Sequence, residues 1–279
     1  MLKTKQIVVI VLVLVLVGAL LAQPIKGLVD KKDNAAAAQS ESSSSSMYTL
    51  ESVSELSKQG VNANLIQDIT ALESQIAKAE GEQKLELYNE LAKKWDDVAK
   101  PIPQGFIYQE MAKISPKFEY WLNAGDSFRA GYTNQQDTAL AGELNRLAIS
   151  SYEEALALDA NSLAAKTGLG AGLVTGSSNP MAGISLLREV VAVEPKNVEA
   201  NKTLGAFSMQ SQQFDKAIER FKTVIEVQPD AETYFYLAAA YVKIGLKNEA
   251  IAAYQKSKEL AADPSLSQYI DRQIEELSK

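Results

Sequence analysis

Neither cysteine nor histidine occurs anywhere in the 279 residues. Without a thiol or an imidazole there is no disulfide, no zinc site of the usual kind, no cysteine nucleophile and no histidine base. The missing cysteine also excludes lipid attachment at a lipoprotein-type cysteine. Positive charge is in deficit, 28 Lys and Arg against 35 Asp and Glu, a net charge of −7. No basic run is longer than the pairs Lys31-Lys32 and Lys93-Lys94, so neither the overall field nor a local patch suits nucleic acid. Serine never precedes lysine at Ser-x-x-Lys spacing, and no G-x-S-x-G elbow occurs. Adjacent carboxylates such as Asp96-Asp97 and Glu153-Glu154 diverge on a helix and read as solvated charges rather than an acid/base pair. The chain is therefore expected to be no enzyme and to need no cofactor or metal. Its hydrophobic fraction of 46% is nevertheless enough to build a core.

The amino terminus carries Lys3 and Lys5, then sixteen residues, Ile7 to Ala22, with no charge or strongly polar group. Such a run is a signal-peptide core or a single membrane-spanning helix. A good small-x-small cleavage site is missing, since Leu20 stands where a small residue should precede Ala22. Residues 1–29 are thus expected to form an uncleaved anchor. Lys26, Lys31 and Lys32 beyond the run leave the charge bias weak, while the short basic lead favours a body outside the cytoplasm. Residues 30–47 (DKKDNAAAAQSESSSSS and one more) are polar and repetitive, a flexible linker with nothing to bury.

Residues 48–84 read as a helical hairpin broken at Gly60. Leu65, Ile69, Leu72, Ile76 and Ala79 form an apolar seam of about two heptads. The seam fits a cap packed on the body of the chain from residue 85 onward, or a hairpin pairing two copies through residues 48–80.

From residue 85 the chain repeats. Pro116, Ala160, Pro195, Pro229 and Pro264 succeed one another at steps of 44, 35, 34 and 35 residues. Ahead of them recur a small residue after an apolar one and an alanine four residues before an aromatic. Examples are Leu204-Gly205 with Ala217 and Phe221, and Leu237-Ala238 with Ala250 and Tyr254. Leu169-Gly170, Ala124-Gly125 with Ala148 and Tyr152, and the degenerate Leu91-Ala92 with Trp95 keep the same phase. At these residues the chain resembles the tetratricopeptide repeat family, over roughly Leu85 to Pro264. Its layout is similar to that of membrane-anchored bacterial members.

The expected fold is all-α: a right-handed superhelical solenoid of about five helix-turn-helix repeats (85–116, 118–160, 163–195, 198–229 and 231–264). A capping helix comes last, over 265–279, where Leu266, Ile270, Ile274 and Leu277 lie at helical spacing. The second repeat carries about eleven extra residues within Tyr132 to Arg146, either a longer second helix or a binding insertion. Gly168-Leu-Gly170-Ala-Gly172 lacks the last glycine of a nucleotide loop and falls on a first helix, where small residues serve packing.

The resemblance implies function on the first helix of each repeat, along a concave groove. The groove residues it implies are Asn89 and Lys93, then Asn123, Asp126 and Arg129, then Thr167 and Ala171, then Lys202 and Met209, and finally Phe235, Ala239 and Val242. Arg129 and Lys202 are expected to steer an acidic group, and Phe235, Met209 and Val242 to bury against a partner. Leu122, Thr167 and Ala171 stand where members that hold a terminal carboxylate carry Lys and Asn, so that activity is not expected. The chain thus reads as a membrane-anchored adaptor that binds proteins or peptides. Its expected place is the bacterial inner membrane, single-pass, with the repeats on the periplasmic side. The alternatives are an accessory subunit of an envelope assembly, for protein export or cytochrome maturation, and a self-oligomerising scaffold.

Overall fold

Thirteen α-helices and no strand make up the described part of the computed structural model, residues 48–279 apart from 134 and 178. The expected anchor (1–29) and linker (30–47) lie outside the described residues. Within those residues no helix is long and apolar enough to cross a membrane.

Two helices come first, α1 (Leu50–Ser57) and α2 (Ala63–Ile76). Five pairs come next: α3 (Gly81–Asp96) with α4 (Pro101–Ile114), α5 (Phe118–Thr133) with α6 (Thr138–Leu158), α7 (Leu163–Gly176) with α8 (Pro180–Val193), α9 (Val198–Gln210) with α10 (Phe214–Val227), and α11 (Ala231–Lys243) with α12 (Lys247–Leu260). The last helix is α13 (Pro264–Leu277).

The punctuation is chemical. Asn62, Ser162, Asn197 and Asp230 each accept a hydrogen bond from the backbone N–H three residues on, which starts α2, α7, α9 and α11. Pro101, Pro180 and Pro264 sit in first turns, where a missing N–H costs nothing. The turns inside the last two pairs pass through the left-handed region, at Gln212 (φ 59°) and Gly245 (φ 80°). The extra residues of the second pair mostly lengthen its second helix: α6 has 21 residues, whereas α8, α10 and α12 have 14 each.

Close approach between helices depends on missing Cβ atoms. A Cβ on Gly125 would stand 2.6 Å from the Tyr152 ring, and one on Gly168 would stand 2.2 Å from the same ring. Tyr152 on α6 therefore fills the space between α5 of its own pair and α7 of the next. Gly205 makes the same room for Phe221, at 2.6 Å.

The core is a series of clusters along the stack. At the amino end Ile69, Leu72 and Ile76 of α2 are buried with Tyr88, Leu91, Trp95, Ile107 and Met111. The apolar seam of α2 is thus packed within one chain, against α3 and α4. At the carboxyl end Ile270 of α13 is fully buried among Phe221, Leu237 and Tyr254, with Leu266, Ile274 and Leu277 packed around it.

Candidate functional site

Each second helix packs on the first helix of the following pair, as α6 does on α7 and α10 on α11. First helices also touch one another directly, α5 with α7, α7 with α9 and α9 with α11. Their row is the inner, more crowded side of the stack, and any groove shared by several pairs opens on it.

Small residues on α7 let the second helices α6 and α8 pack close against it. Gly168, Gly170 and Gly172 let the neighbouring helices close in, and Thr167 and Ala171 are buried between them. The Thr167 hydroxyl donates to the Leu163 carbonyl at 2.7 Å. Thr167 and Ala171 therefore offer no groove surface, a correction to the sequence expectation.

Arg129 on α5 reaches past α7 to Glu199 on α9, Nη1 to Oε1 at 2.7 Å. Burial alone would lower the Arg129 pKa, but the Glu199 carboxylate outweighs it and the net shift is upward. Next to it the Tyr152 hydroxyl donates to Asp126 at 2.7 Å. Burial raises the Asp126 pKa, and Glu199 adds to the rise, against the opposing pull of the Tyr152 bond and the Arg129 charge. Arg129 is thus engaged by a carboxylate of its own chain, not held free for a partner's.

Lys202 is engaged in the same way, Nζ to Asp230 Oδ2 at 2.9 Å. Asp230 also accepts from the Thr233 N–H and hydroxyl, both at 2.8 Å. Burial pushes its pKa up, but these bonds and Lys202 bring it below the ordinary carboxylate value.

Beside Lys202 the inner face opens into a cleft of about 340 Å³ between α7, α9 and α11. Ala206 and Thr203 leave the room, Phe207 and Tyr236 supply aromatic surface, and Val174 and Glu232 close the sides. Tyr236 stacks on Phe221 with ring centroids 5.9 Å apart, yet keeps 39% of its surface exposed. Its neighbour Phe235 turns into the carboxyl-terminal core, against the Tyr254 and Tyr269 rings at 5.7 and 5.8 Å. Met209 and Val242 pack on that same core, half-buried. These three support the fold more than they face a partner. Ala239 is half-buried, as is Asn123 on α5.

At the amino end Asn89 and Lys93 are exposed on α3, with the Asn89 amide donating to the Leu85 carbonyl at 3.0 Å. Sequence reasoning missed Glu199, Phe207, Glu232 and Tyr236. Phase alone could have found them, since Glu199 and Glu232 hold one repeat position and Tyr236 lies one residue beyond Phe235. Among the described residues no group of three or more Asp, Glu, Cys or His is placed to hold a metal ion.

Two tetratricopeptide repeat family models match the chain, over residues 177–241 and 231–264. On these matches residues 177–264 carry tetratricopeptide repeats, and the helix pairs before them stack in the same way. Among curated proteins it is 30% identical over 96 residues to anaphase-promoting complex subunit 3 of Dictyostelium discoideum. That alignment takes in 34% of this chain and spans only 10% of the relative. Among solved structures it is similar to MamA from Desulfovibrio magneticus RS-1, residue 41 to the end (TM-score 0.50, 21% identity, 65% of this chain and 97% of that one). It is also similar to YrrB, described as a TPR protein with an unusual peptide-binding site (TM-score 0.48, 17% identity, 72% and 98%). At such identities the likeness concerns the fold alone.

Proposed function

We propose that this protein is a non-catalytic adaptor that holds a segment of another protein in the inner cleft between α7, α9 and α11. The observation that carries this reading is an exposed aromatic, Tyr236, beside an alanine floor at Ala206, on the face shared by successive pairs. A cleft of about 340 Å³ suits one or two bulky side chains of a peptide, and aromatic walls are frequent anchors for such contacts. Glu232 then orients the peptide through polar contacts at the rim. In this proposal residues 1–29 tether the body to the bacterial inner membrane, and the repeats stand on the periplasmic side. The support is the charge-free run Ile7 to Ala22 with its short basic lead.

The test is a photo-crosslinking amino acid placed at position 236 in cells, with and without Ala206→Trp, which fills the cleft. Partners captured by the open cleft and lost from the filled one are expected. Identical capture from both, with melting unchanged, overturns the assignment.

A further inference from the structure

A second and larger cleft, about 680 Å³, lies at the other end of the stack, among α1, α2, α3 and α4. Its apolar lining comes from Leu50, Ile76 and Leu91. Tyr88 also lines it, only 5% exposed, and its hydroxyl has no hydrogen-bond partner among the described residues. The hydroxyl itself stays open to the cleft, where it can bond to a ligand. Burial, with the Glu110 carboxylate nearby, pushes the Tyr88 pKa up to about 12, so the hydroxyl stays protonated at neutral pH.

Four carboxylates face this cleft, Glu51, Glu55, Glu73 and Glu110, against a single ammonium, Lys84. Glu55 and Glu73 are held from behind by Lys58, at 2.5 and 2.8 Å. Lys113 takes one oxygen of Glu110, at 2.6 Å. Glu51 and the second oxygen of Glu110 are left without a cation among the described residues. The Lys84 ammonium stands 6.0 Å from the centroid of the Tyr88 ring, so a cation already rests against this wall.

We propose that this cleft binds a lysine side chain of a basic partner peptide, its methylenes over Leu50, Ile76 and Leu91 and its ammonium between Tyr88, Glu51 and Glu110. Lysine is the side chain that joins a long apolar stem to a point charge with three donors. The cleft is larger than one such side chain, and the surplus holds the neighbouring residues of a peptide. Lys84 competes for the same wall.

The experiment is a titration of the full-length protein, carrying ring-labelled tyrosine, monitored by NMR. The probes are a blocked lysine-leucine-lysine tripeptide, its norleucine counterpart and spermidine. The lysine peptide is expected to move the Tyr88 signal and to bind about tenfold tighter than the norleucine peptide. Tyr88→Phe is read at the Ile76 methyl and should weaken binding about three- to tenfold. Glu51→Gln, an exposed change with little bearing on folding, should weaken it also. Lys84→Ala should strengthen it. Equal binding of the norleucine peptide overturns the cationic assignment, and tighter binding of spermidine at the same signals overturns the peptide. Unchanged affinity in both Tyr88→Phe and Glu51→Gln overturns the site. Because this cleft shares no residue with the inner one, it stands or falls apart from the adaptor reading.

Discussion

Asp126 and Asp230 are shifted in opposite directions, and the reason is the number of donors each meets. Asp126 has one hydroxyl donor, a nearby guanidinium and a like charge at Glu199, so burial prevails and its pKa rises. Glu199→Gln removes the like charge and releases Arg129 from its pair. Carboxyl NMR titration should then show the Asp126 pKa falling. Asp230 meets two donors from Thr233 and the Lys202 ammonium, which outweigh burial. A lowered folded value means stability that is complete above the unfolded pKa of 3.8 and is lost as pH falls through the folded value. Asp230→Ala should cost about 1–2 kcal/mol at neutral pH, as the loss of an N-cap does. In urea denaturation the gap from the parent should narrow below pH ~4. None of the helix caps was read from the sequence, although Asn, Ser or Asp before an apolar-periodic run has a local meaning. The partners of Arg129 and Lys202 were not legible there, because the Arg129 pair joins residues 70 apart and no local rule reaches that far.

Helix pairs in this chain differ in how they turn. Gln212 and Gly245 occupy corresponding turns with positive φ, yet only one is glycine. A side chain in that region costs about 1–2 kcal/mol. Gln212→Gly should therefore raise the stability by about 1 kcal/mol, read as a higher melting temperature, since Gln212 is exposed and loses little packing. Gly205 is the opposite case, because a Cβ there meets the Phe221 ring at 2.6 Å. Gly205→Ala should cost about 1–3 kcal/mol by overpacking, measured by chemical denaturation. The role of Gly205 was readable from the recurrence of small residues at one phase of the repeat. The burial of Thr167 and Ala171 was not: α7 has four glycines where α5 has two and α9 one, so adjacent helices close over positions that elsewhere face the groove.

Across the whole molecule the stack is closed at both ends by helices outside the five pairs. Ile270 of α13 is the plug at the carboxyl end, fully buried. Ile270→Ala should cost about 2–5 kcal/mol. Hydrogen exchange should then speed up in α11 to α13 well before the amino-terminal pairs respond. The repeat period made the order of helices readable from residue 85 onward, because each pair needs the next to bury its apolar side. The two clefts were not readable as cavities, since they arise where α1, α2 and the inner helices meet in space. In an array coupled only to nearest neighbours, each unit's melting depends on the one before and the one after. The Arg129–Glu199 bond adds a second-neighbour coupling, worth about 0.5–1 kcal/mol for so partly exposed a pair. The intervening α7–α8 unit, rich in glycine, is thereby spanned like a short plank nailed at both ends, and an unfolding front arriving from either side should stall there.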